Sequence, residues 1–190
     1  MIPIVITADM AGDSQSRREM GAALFPRITL RVRPPVLTRK GKLAVAIFCA
    51  ERLQGAAEGE LDDLLRRTLE LGHQALDGQG VEALDLERLT KEALELQRIK
   101  VVPVQKGSKS KMGVPDEEAC RRRGAQAVRA LLDGISDNAK SQHLCPTVAG
   151  EVAWTLGAAL GLDKAVDFCV DLAAFIHDLP PEMAEAPQAN

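Results

Sequence analysis

The six residues Leu43-Ala-Val-Ala-Ile-Phe48 constrain this chain more than any other segment, because none of them offers a polar side chain to water. An apolar run of that length without alternation asks for burial on every side. In a sheet protein that place is a central strand covered on both faces. A central strand over 43–48 is therefore the expectation, and the rest of the chain is read around it.

Two other segments read as strands on the same side of the sequence. Residues 2–7, Ile-Pro-Ile-Val-Ile-Thr, are β-branched, with Pro3 pushing the start toward a sheet edge. Residues 28–33 alternate apolar and polar, which leaves Thr29, Arg31 and Arg33 on a wet face, and Pro34-Pro35 stops the run. A helix between them starts at Asp13 or Ser14 and stops at Pro26. Thr38-Arg-Lys-Gly-Lys42 reads as a basic turn leading into the central strand. A fourth strand follows at 99–104.

The remaining segments change to a helical period. Leu61, Leu64, Leu65, Leu69, Leu71 and Leu76 form one stripe, ended by Gly78 and Gly80, and Leu86, Leu89, Leu94 and Leu96 form a second. Pro115-Asp-Glu-Glu opens a further helix with proline in its first turn and acids against the dipole, with Gly134 as the expected C-cap. Two more helices, 147–160 and 163–179, hinge at Gly161. The fold class that follows is α/β, a mixed sheet over 1–113 with a helical C-terminal lobe over 114–190.

Composition excludes several functions. The chain has no Tyr, one Trp and four Phe, so RNA-binding folds that stack bases on aromatic side chains lack their platform. Its four cysteines, Cys49, Cys120, Cys145 and Cys169, contain no CxxC pair, against a zinc finger. With no signal peptide and no apolar run near the ~18 residues that would span a membrane, a cytoplasmic chain without membrane insertion is expected. A net charge of -3 conceals alternation: 1–55 carries +5, 56–98 carries -6, 99–130 carries +5 and 131–190 carries -7. A polyanion responds to local basic surface, so the modest net charge leaves nucleic acid open as a partner.

The junction Ile47-Phe-Cys-Ala-Glu-Arg-Leu-Gln-Gly55 carries the most chemistry. Where a strand hands over to a helix, free backbone N–H groups and the helix dipole favour an anion. Arg52 there can clamp a phosphate, and Glu51 can bind a metal or act as a base. The same residues also fit a capping Glu51 and a solvated Arg52. Cys49 is the only thiol near that junction, and a small-molecule enzyme using it is a third reading.

Gln105 to Gly113, with Lys106, Lys109 and Lys111, suits a loop that closes over phosphates, although no Walker A motif can be read in it. It equally suits a solvated linker. Arg121-Arg122-Arg123 wraps most of a helical turn, so at most two of the three can meet one ligand, and a solvated face explains them as well. Arg31, Arg33, Arg39, Lys40 and Lys42 could join the loop lysines and Arg122 in one phosphate track. Ordinary charged surface is the alternative. His73, His143 and His177 are scattered and build no metal site in the sequence. In the C-terminal helices, small residues around Trp154, Phe168 and Phe175 fit a helical lobe or a dimer surface.

The order strand, helix, two strands, charged turn, helix, strand resembles the ParB/sulfiredoxin superfamily, with Ala50-Glu51-Arg52 standing for its Gly-Glu-Arg turn and Ile99-Lys-Val-Val-Pro-Val104 for its later strand. Ala50 replaces the signature glycine, and the connection to Ile99 is longer than usual. Length and composition are similar to plasmid fertility-inhibition proteins placed in that superfamily. The resemblance implies a block on conjugative DNA transfer through DNA phosphodiester and ATP hydrolysis, with ATP and a divalent cation (Mg) as cofactors. DNA and a type IV secretion component are the implied partners. Arg52 would then hold phosphate, Glu51 would bind the metal or activate water, and Lys106, Lys109 and Lys111 would guide the backbone. The alternative is a non-enzymatic adaptor that binds DNA or a partner protein and inhibits by occupancy.

Overall fold

A computed structural model describes residues 37–98, 117–136 and 143–184. Of these, 81% are helical and none forms a strand. The α/β mixed sheet is therefore corrected to an all-helical body. The elements are α1 (Arg39–Glu51), α2 (Glu60–Leu76), α3 (Ala83–Gln97), α4 (Glu117–Ile135), α5 (Leu144–Leu160), α6 (Leu162–His177) and a 3-10 turn, Pro181–Met183. The expected strands at 2–7, 28–33 and 99–104, and the helix between the first two, lie outside the described residues.

The correction turns on 43–48, which is the middle of α1. Leu43, Ala44, Val45, Ala46, Ile47, Cys49 and Ala50 are all buried, so this helix is apolar around its whole circumference. It packs against α2, α4, α5 and α6 together. A helix enclosed on all sides shows no 3.6-residue period, and a short apolar run cannot distinguish it from a central strand. The supposed basic turn is its start: Thr38 is the N-cap, its hydroxyl accepting from the Gly41 N–H at 3.2 Å.

The helices beside it obey the period. In α2, Leu61, Leu64, Leu65, Thr68, Leu69 and Gly72 are buried at spacings of three and four, while Glu60, Asp62 and Asp63 occupy the first turn, where the dipole favours anions. Gly78, at φ 77°, ends α2 in a Schellman arrangement, with Gln79 N–H bonding to Gln74 and Gly78 N–H to Ala75. The peripheral α3 buries only Leu89, Ala93 and Leu96.

Through the middle runs α4, which touches α1, α2, α3 and α5. Gly134 lies inside it rather than capping it: a Cβ there would stand 2.7 Å from Leu144 Cδ2, so the absent side chain lets α5 approach. The hinge between α5 and α6 is Gly161, at φ 98°. One buried cluster runs from Leu37 to Ile176.

Candidate functional site

Because α1 is a helix, Glu51 and Arg52 sit at its C-terminal end instead of at the entry to one. Carbonyl groups, not N–H groups, face outward there, and the dipole disfavours an anion. Arg52 is the C-cap, its own N–H bonding back to Ala50 and Cys49.

The two side chains go to different helices. Glu51 Oε1 meets His73 Nε2 of α2 at 3.1 Å. Arg52 lies over the Phe48 ring, 4.5 Å from its centroid, and its Nη2 is 3.9 Å from Asp171 of α6. Phe48 in turn stacks on Phe175, centroids 4.2 Å apart and planes within 11°. Phe48 and Arg52 stand four residues apart on α1, as do Asp171 and Phe175 on α6. The result is a layered contact at the surface between two helices. The sequence reading missed Asp171 and His73 as partners. The signal for Asp171, an i,i+4 register on both α1 and α6, becomes legible only once 43–48 is helical.

Cys49 is fully buried, and its thiol is pushed well up, first by burial, then by the neighbouring Cys145 and Cys169, with Arg52 opposing. A protonated, enclosed thiol is a poor nucleophile. Burial pushes Cys145 and Cys169 up to about 11 each. Cys145 Sγ donates to the Lys42 carbonyl at 3.4 Å.

Of the proposed phosphate track, Lys40 is exposed in the first turn of α1, Lys42 is half-buried beside it, and Arg122 is half-buried on α4. Arg31, Arg33, Lys106, Lys109 and Lys111 lie outside the described residues. Arg123, next to Arg122, is committed within the fold: its Nη1 is 3.0 Å from both carboxylate oxygens of Glu151, and its guanidinium lies 5.3 Å from the Trp154 ring centroid. His177 pairs with its neighbour Asp178 at 3.0 Å.

The Glu51 carboxylate faces one imidazole, and among the described residues no group of three or more His, Cys, Asp or Glu side chains could hold a metal ion. Nor is any helix among them long and apolar enough to cross a membrane. Compared with family models, curated proteins and solved structures, the chain matches none.

Proposed function

We propose that this chain is a non-enzymatic helical adaptor that acts by occupying a protein partner. The observation that carries the reading is the divergence of Glu51 and Arg52, one paired with α2 and the other stacked against α6. Two groups committed to separate interhelical contacts serve packing, and neither converges with the other on a common reacting atom.

In conjugative DNA transfer, the setting given by the sequence resemblance, such an adaptor blocks by occupancy of a secretion component and needs neither ATP nor a metal. The test is purified full-length chain with plasmid DNA and ATP, with and without magnesium, scored for strand cleavage and phosphate release. No turnover in any lane is expected, together with transfer inhibition in a mating assay that survives Glu51→Ala. Magnesium-dependent cleavage abolished by Glu51→Ala overturns the proposal.

A further inference from the structure

The last described residues return to the start of α1. The Thr38 N–H donates to the Met183 carbonyl at 3.0 Å, and the Thr38 hydroxyl donates to the Glu182 carbonyl at 3.2 Å. Leu37, 3% exposed, pairs with Ala184 in an antiparallel bridge. At Gly41 the approach is closer still: a Cβ there would collide with the Met183 carbonyl oxygen and stand 3.0 Å from its carbon. Leu37, Thr38 and Gly41 thus form a notch whose floor is backbone and whose width requires glycine. The segment in it is a short turn started by Pro181, with no buried residue of its own.

Two features separate this contact from ordinary core packing. The bonds are to main-chain carbonyls of the turn, so they read backbone shape more than side-chain identity, as in other extended-peptide sites. The turn contributes no buried side chain, which places it among the parts of a fold that open without global unfolding. Glycine is also a poor helix former, about 1 kcal/mol worse than alanine in a helix interior. Its presence in α1 is explained by the approach of the turn.

We infer that the N-terminal end of α1 is a peptide-binding notch, occupied in cis by the chain's own C-terminal turn, and that it accepts a proline-started 3-10 turn in trans when the tether is loosened. This site goes beyond the adaptor reading. The occupant it selects is a peptide with two main-chain carbonyls presented one after the other, as Glu182 and Met183 present theirs.

The experiment uses full-length chain throughout. P180G/P181G loosens the turn while leaving the notch intact, and a fluorescent peptide of residues 178–184 is the probe. The loosened variant binds the peptide at least tenfold more tightly than the wild type, since the cis segment no longer competes at its high effective concentration. Adding Gly41→Ala, which improves helix propensity while filling the notch, abolishes that binding. Hydrogen exchange gives a second readout on a chain without the proline changes. Gly41→Ala alone raises exchange at Thr38 at least tenfold and leaves the amides of α4 unchanged. Equal peptide binding with and without Gly41→Ala, no binding to the loosened variant, or unchanged protection at Thr38 each overturns the inference.

Discussion

Helices α1 and α2 pack against each other yet carry opposite kinds of sequence. One is apolar all round with its charges at the ends, and the other keeps a narrow buried stripe with acids and arginines outside. The difference is one of position. A flanking helix meets water along one side and shows that side as a period, whereas an enclosed helix shows nothing but hydrophobicity. Among the described residues, the most enclosed helix is therefore the one whose sequence least resembles a helix.

The comparison breaks most sharply if α1 tolerates a charge. Cys49→Asp places a carboxylate on the enclosed side of α1, in a position 0% exposed. Burying an unpaired charge there is expected to cost about 4 kcal/mol or more, enough to unfold a marginal domain. Glu70→Lys on the exposed face of α2 removes one carboxylate from the Arg66 pairing at 3.5 Å and is expected to change stability by less than about 0.5 kcal/mol. Chemical denaturation of both variants gives the contrast directly, and a mild Cys49→Asp would mean that α1 is not enclosed.

Alkaline pH tests the same enclosure without mutation. Cys145 and Cys169 rise from an ordinary 9.0 to about 11 through burial, and Cys49 is raised as well. An acid whose folded pKa lies above its unfolded value supports the fold fully below the unfolded value and loses that support as pH climbs. Stability is thus expected to be insensitive to these thiols up to about pH 8 and to fall between about pH 9 and 11. Each of Cys145 and Cys169 would contribute a loss of roughly 2 kcal/mol across that window. Alanine at both positions removes their share of the fall and leaves that of Cys49. If the profile is unchanged, Cys145 and Cys169 are not its source.

Most of the helices were legible because water marks one of their sides. The leucine stripe of α2, the proline and acids before α4, and Gly161 between α5 and α6 all identify elements that the structure contains. The start of α1 was masked by a further conflict. Arg39, Lys40 and Lys42 follow the N-cap Thr38, and cations in a first turn oppose the dipole, so the segment reads as a turn. From that error the rest of the site followed. Glu51 and Arg52 were placed at an anion-attracting helix entry when they stand at a helix exit. There the arginine suits the dipole, and the glutamate is answered by His73. The stacking of Phe48 and Phe175 joins positions 127 residues apart, and nothing local in the sequence announces such a pair.

A smaller effect than at the thiols is expected within α2 itself, at Thr68, the one polar side chain in its buried stripe. Thr68 is 0% exposed, seven residues after Leu61 and four after Leu64, and its hydroxyl has no hydrogen-bond partner. A buried hydroxyl that makes no bond has lost its water without compensation, a cost on the order of 1 kcal/mol or more. Thr68→Val replaces the hydroxyl with a methyl of nearly the same shape and is expected to stabilise the fold by about 1 kcal/mol. Thr68→Ser keeps the orphaned hydroxyl and deletes a methyl, so it should cost about 1 kcal/mol. Denaturant midpoints at a constant slope separate the two. A Thr68→Val variant that loses stability would mean that the hydroxyl is satisfied in solution, and that this side of α2 has access to water much as its outer face does.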